Sequence, residues 1–238
     1  MKPRITTIHL RVEGFPEELG KSYLDFESVK RFNESYPECL DENEDFYHSE
    51  DFYHSASLYM HVPAVEVLRR EMIPREKDSR GLLYVACAFG HGMKILEAFG
   101  YDVKGVDINE DYVDNCQKRG LDAVVGNGMS LDFDDGMFDI CVSKDFLRRD
   151  YIFSSVPHAL SEQLRVVKEG GIVLNYSILR DRIDIRKPKK SRRFTGLAKS
   201  ERLCKNEFEG LDFTELRRYI LYYGNSGGLL SFVDVFEK

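Results

Sequence analysis

The stretch from residue 82 to 109, LLYVACAFGHGMKILEAFGYDVKGVDIN, limits most sharply what this chain can fold into. An apolar run over residues 82–85 ends in a turn of small residues, 86–92. A helical segment, 93–99, follows, and a second apolar run, 103–106, stops at Asp107. Strand, tight turn, helix, strand and acid make up the unit with which an open parallel α/β sheet holds a nucleoside. The turn lets the backbone approach the ligand, and the acid at the next strand tip accepts the ribose hydroxyls.

The rest of the chain extends this unit. Residues 110–118 read as a helix stopped by Gly120, and 121–125 as a third strand running into Gly126-Asn127-Gly128. A fourth strand is expected over 138–143, a helix over 157–168 closed by Gly170-Gly171, and a fifth strand over 172–176. A helix near 196–208 precedes two strands, 211–223 and 229–236, whose glycine-rich loop fits a β-hairpin. Alternating strands and helices with a terminal hairpin predict a mostly parallel, doubly wound sheet of seven strands.

Residues 1–75 have a different character. Ile8, Leu10 and Val12 alternate with polar residues as in a short strand, and 23–36 and 62–72 read as helices. Between them lies a tandem hexapeptide, EDFYHS at 44–49 and 50–55. We read 1–75 as a cap over the sheet edge and 76–238 as the main domain, a division suited to 238 residues. Tyr47, Phe52, Tyr53 and Tyr59 are candidates for a lid over a pocket, and packing of the cap onto the sheet is the plainer use of them. His48 and His54 with Asp45 and Asp51 do not by spacing alone make a metal site.

Five dispersed cysteines, with no CxxC pair, suit a reducing compartment and not a disulfide framework or structural zinc. No apolar run reaches the roughly 20 residues that span a bilayer. The first residues lack the apolar core of a secretory signal, so a cytoplasmic protein without a membrane partner is expected. The net charge of −7 conceals a basic segment, 180–205, with eleven Lys or Arg against Asp181, Asp184 and Glu201. That segment follows the fifth strand, at the edge where open α/β sheets bind ligands. An anionic acceptor, either a phosphorylated small molecule or a nucleic-acid backbone, is therefore an expected partner, with a solvated loop as the alternative.

Four segments in order resemble the class I S-adenosylmethionine-dependent methyltransferases, a Rossmann-like family, over about two-thirds of the chain. Leu83-Tyr84-Val85-Ala86-Cys87-Ala88-Phe89-Gly90-His91-Gly92 is similar to the glycine-rich first motif, and Gly105-Val106-Asp107-Ile108 to the second. Residues 126–133 with Phe138-Asp139-Ile140 resemble the third and fourth, and residues 165–171 resemble the turn before the fifth strand. The resemblance implies an enzyme that binds S-adenosylmethionine through Ala86, Cys87, Ala88, Gly90, Asp107, Ile108, Asn127, Gly128 and Ser143. It also implies three departures: Tyr84 stands where the family carries an acid that helps hold the methionine part of the cofactor, Ala88 where it has glycine, and Phe89 where it has a small residue.

Methyl transfer is an in-line displacement at a sulfonium, so no single side chain is obligatory and no base is named. Asp145, His158 and the lid tyrosines are candidates. Three other classes remain open: a methyltransferase fold that binds without turnover, a nicotinamide-dependent oxidoreductase, and a nucleic-acid-binding protein led by residues 180–205. The first is motivated by Tyr84, Ala88 and Phe89; the second is disfavoured by the terminal hairpin and the incomplete G-x-G-x-x-G.

Overall fold

A strand at the centre of a sheet covered on both faces must be apolar on both faces, and Gly81–Val85 (β2) is. Leu83 and Val85 point to one side, Leu82 and Tyr84 to the other, and each pair joins a separate core cluster. The structure, a computed structural model, describes residues 4–12, 61, 64–71, 81–148, 156–179, 210–223 and 230–238.

Around β2 the chain builds β1 (Arg4–Val12), α1 (His91–Ala98), β3 (Asp102–Asp107), α2 (Glu110–Lys118) and β4 (Asp122–Val125). It continues with β5 (Phe138–Lys144), a 3₁₀ turn (Phe146–Arg148), α3 (Val156–Val166), β6 (Val167–Leu179), β7 (Glu215–Tyr223) and β8 (Leu230–Glu237). Periodicity places the helices: α1 buries Met93, Ile95 and Leu96, and α2 buries Val113 and Cys116. Asn109 caps α2, its side-chain oxygen accepting from the Asp111 and Tyr112 amides, with Glu110 and Asp111 in the first turn and Lys118 in the last.

The strands lie in the order β1-β7-β8-β6-β5-β2-β3-β4. Pairing is parallel except at β8, which runs antiparallel to β6 and β7. This is the Rossmann-like class I arrangement expected from the sequence, with all seven strands and the hairpin strands in place. An eighth strand extends it. β1 pairs in parallel with β7 from Arg4↔Glu215 to Val12↔Tyr223, covering an edge that would otherwise present a row of unpaired backbone groups.

The division at residue 75 was expected to set a cap apart from the sheet. Most of residues 1–75, including the tandem hexapeptide and the expected helix over 23–36, lies outside the described residues. The described parts are tied into the sheet. The helical residues 64–71 bury Ala64, Val67 and Leu68 against it. Glu71 accepts two hydrogen bonds from the Arg217 guanidinium, at 2.9 and 2.7 Å, and one from Tyr219 Oη at 2.7 Å.

The boundary between α3 and β6 differs from expectation. β6 begins at Val167, directly after α3, and Gly170-Gly171 falls inside it, where the pairing with β5 shifts register between Phe138 and Ile140. Gly170 takes φ 72°, and a Cβ on Gly171 would lie 2.6 Å from the Asp139 carbonyl. The glycines therefore shape a bulge in the strand and do not end the helix. The expected helix near 196–208 and the hairpin loop lie outside the described residues.

Candidate functional site

The carboxyl ends of β2, β3 and β5 meet at one edge. Val85 pairs with Val106 on one side and Ser143 on the other, so Ala86, Asp107 and Lys144 emerge abreast. The turn after β2 is held from below by Asp107. One carboxylate oxygen accepts the Ala88 amide at 2.8 Å and the other the Asn109 amide at 3.0 Å. Each oxygen keeps a further lone-pair direction for an incoming hydroxyl.

The turn contains two non-glycine residues in the left-handed region, Ala86 at φ 56° and Ala88 at φ 48°. Each conformation costs about 1–2 kcal/mol for an L-residue. One face of α2 holds the turn there: Cys116 Sγ donates to the Ala88 carbonyl at 3.3 Å, and Arg119 Nη1 donates to the Phe89 carbonyl at 2.7 Å. The Phe89 ring lies on Tyr112, centroids 4.4 Å apart. Tyr112, Cys116 and Arg119 recur at helical spacing, so one helix replaces with tertiary contacts what glycine would supply intrinsically. Gly90 remains obligatory: φ is 75°, and a Cβ there would meet Leu121 Cδ1 at 2.4 Å. Cys87 is buried with its thiol against Cys116; that hydrogen bond and burial push it well above the usual thiol range.

Beyond Asp107 the edge is apolar and open. Ile108 is 70% exposed and Val125, which pairs with Asp107, is 51% exposed. Asn127 is exposed, its side-chain oxygen accepting the Met129 amide at 2.9 Å. Gly128 packs beneath it, where a Cβ would come within 2.8 Å of Val85 Cγ1 and 2.7 Å of Phe146 Cζ. A network around Arg165 fixes the next loop: it donates to the Leu131 and Phe133 carbonyls at 2.7 and 2.8 Å and to Asp135 at 2.6 Å.

The structure thus brings together Ala86, Cys87, Ala88, Gly90, Asp107, Ile108, Asn127 and Gly128. Ser143 is set apart. It is fully buried, and its hydroxyl donates to Asn175 in the neighbouring β6.

On the other side of β2 lies a group that spacing did not reveal. Tyr84 Oη is 2.8 Å from Tyr176 Oη and 3.4 Å from His61 Nδ1, and His61 Nδ1 also bonds Tyr176 Oη. All three are buried. Burial, then the Tyr176 hydrogen bond acting the other way, then nearby Cys87 and Asp145 leave the Tyr84 phenol well above its usual range. Burial first, then Lys144 and His91, hold His61 well below 6.5, and burial and Lys144 bring His91 down to about 4. The cluster is therefore neutral near pH 7. Its members lie 23 to 115 residues apart in the chain, so only Tyr84, as a break in the first motif, offered any sequence signal. At its rim Lys144 Nζ stands 3.3 Å from Asp145 Oδ2, and Asp145 takes φ 55°. Among the described residues, no group of three or more His, Cys, Asp or Glu side chains is placed to hold a metal ion. No described helix is long and apolar enough to cross a membrane.

Residues 83–175 match the family model of the methyltransferase domain. Among curated proteins, the phthiotriol/phenolphthiotriol dimycocerosates methyltransferase of Mycobacterium leprae is 29% identical over 100 residues, 40% of this chain and 36% of that protein. An uncharacterised protein of Methanocaldococcus jannaschii is 30% identical over 152 residues, 63% of this chain and 61% of that protein. The chain therefore spans about a third of the first relative's length and 61% of the second's, less than two-thirds of either. Among solved structures, a protein of Methanococcus maripaludis assigned to the S-adenosyl-L-methionine-dependent methyltransferases superposes with a TM-score of 0.53 at 14% identity. That superposition covers 90% of this chain and 93% of the other, a likeness of fold.

Proposed function

We propose, from the match of residues 83–175 to the family model of the methyltransferase domain, that the protein transfers a methyl group from S-adenosylmethionine to an anionic acceptor. The observation that carries the reading is the edge around Asp107. A carboxylate that braces the turn sits between it and two exposed apolar side chains, Ile108 and Val125. That donor set fits an adenosine: the carboxylate takes the ribose hydroxyls, Ile108 and Val125 cover a face of the base, and Asn127 offers an amide to its polar edge. Exposed apolar side chains at a strand tip gain stability when an aromatic base removes them from water.

When bound, S-adenosylmethionine supplies a methyl already activated on a sulfonium. The protein's own task is alignment and exclusion of water. Asp107 sets the ribose and, through Ala88, the turn beside it. The neutral cluster of Tyr84, Tyr176 and His61 packs on the side toward β5 and β6. The case for an anionic acceptor is the charge of residues 180–205, which continue from β6 where that strand reaches the same edge as β5.

Calorimetric titration with S-adenosylmethionine and S-adenosylhomocysteine tests the cofactor. Saturable binding, weakened in Asp107→Asn, is expected. No heat at millimolar ligand from folded, ligand-free protein refutes the enzyme and leaves a methyltransferase fold that binds without turnover. For the acceptor, turnover of phosphorylated candidates should fall steeply as salt rises.

A further inference from the structure

The amino-acid end of S-adenosylmethionine carries an α-ammonium and an α-carboxylate, joined to the ribose through C5′, the sulfur and two methylenes. A site for the whole cofactor must answer both charges within that reach of Asp107. Tyr84 cannot: its phenol is 2% exposed and engaged with Tyr176 and His61. From the ion pair at the end of β5 we infer that Lys144 and Asp145 clamp the zwitterionic end of the cofactor, Asp145 taking the ammonium and Lys144 the carboxylate.

The register supports this placement. β3 and β5 flank β2, so Lys144 and Asp107 lie on opposite sides of Ala86, about 10 Å apart at two strand spacings. Nucleoside and amino-acid subsites then straddle the turn. The two side chains are of opposite sign, 3.3 Å apart, 21% and 34% exposed, so both are partly accessible and partly shielded from bulk water. Behind it the wall is uncharged. His61 and His91 are held neutral by burial and by Lys144, and the charge of Asp145 further opposes ionisation of Tyr84 and Tyr176. Asp145 also occupies a left-handed conformation that Asp and Asn tolerate better than other non-glycine residues, a strained geometry of the kind that clusters at binding sites.

The clamp rests on the proposal that the protein binds S-adenosylmethionine, and the choice of ligand separates the two. The probes are S-adenosylhomocysteine, 5′-methylthioadenosine, which lacks the amino-acid end, and decarboxylated S-adenosylmethionine, which lacks only the carboxylate. Wild-type protein should bind S-adenosylhomocysteine more tightly than 5′-methylthioadenosine. Asp145→Asn keeps the backbone conformation accessible and should weaken S-adenosylhomocysteine about ten- to hundred-fold, the loss of one charged hydrogen bond, with 5′-methylthioadenosine unchanged. Lys144→Met should weaken S-adenosylhomocysteine similarly and leave the decarboxylated compound unchanged. Equal wild-type affinities for S-adenosylhomocysteine and 5′-methylthioadenosine overturn the clamp and leave the nucleoside site standing. So do variants that shift all three ligands alike or none. Folded wild-type protein that binds none of the three overturns the cofactor proposal and the clamp together.

Discussion

Replacing Asp107 with alanine should destabilise the protein in the absence of any ligand. The carboxylate is 8% exposed and accepts two backbone amides, Ala88 at 2.8 Å and Asn109 at 3.0 Å. Hydrogen bonds to a charged acceptor contribute about 1.5–3 kcal/mol each. Water reaches the partly exposed Ala88 and Asn109 amides once the side chain is gone, which brings the expected loss toward the low end, about 3 kcal/mol. For a domain of this size that corresponds to a fall in Tm of about 6–12 °C. Asp107→Asn retains one acceptor and should fall about half as far. The Ala88 bond also offsets the cost of that residue's left-handed backbone, so the turn should relax when it is lost. Hydrogen exchange at the Ala88 amide should quicken by about a hundredfold. Calorimetric melting and exchange of wild type, Asp107→Asn and Asp107→Ala measure this. A Tm change below about 2 °C in Asp107→Ala, with Ala88 protection intact, would refute the turn-bracing role and leave Asp107 to the ligand alone.

Glu71→Gln should cost about 1.5–3 kcal/mol in denaturant unfolding, because it removes the charge that meets the Arg217 guanidinium through two hydrogen bonds, while Glu215 and Glu237 continue to hold that cation. Glu71→Asp, which keeps the charge, should recover part of the loss. His61 and His91 have folded-state values below the ordinary 6.5, so the unfolded chain binds protons that the native one refuses. Their stabilisation is complete above about pH 6.5 and declines as the pH falls toward 4, with a slope of at most about 2.7 kcal/mol per pH unit for the two sites. Unfolding curves across that range should show the decline, and His61→Gln with His91→Gln should flatten it. Ala88→Gly should relieve a left-handed residue at φ 48°, worth about 1–2 kcal/mol, against about 0.4–1 kcal/mol of added unfolded-state entropy. The expected net gain of about 1 kcal/mol would appear as a small rise in Tm, and a fall would mean that the alanine methyl contributes packing that the backbone argument omits.

Much of the fold was legible in the chain because its signals are local. The buried run of β2, the stop of α2 at Gly120 and the acid ending β3 each act within a few residues, and the structure keeps all of them. Parallel order follows from strand–helix alternation, which leaves few ways to pack. The placement of Asp107 beneath the turn was legible for the same reason, since Ala86 to Gly90 and Asp107 belong to one β-α-β unit. Gly170-Gly171 misled because a glycine pair reads equally as a helix stop and as a bulge, and only the register of β5 against β6 separates the two. For Ser143, the strand-end position is known from sequence, but the direction of its side chain, here into Asn175, is not.

By itself, then, the sequence determined the strands, their mostly parallel sense and the acid beside the turn, since short-range patterning suffices where each residue's partner is close along the chain. Tertiary structure alone decided the rest. It put β1 on the free edge of β7, and it locked Tyr84 to Tyr176 and His61, 92 and 23 residues away. It also tied Glu71 to Arg217 across 146 residues and set α2 under a turn whose alanines would otherwise resist their backbone angles. Contacts between distant residues depend on how whole elements dock, and buried charges and phenols find their partners only then, because the cost of leaving them unpaired appears once water is excluded.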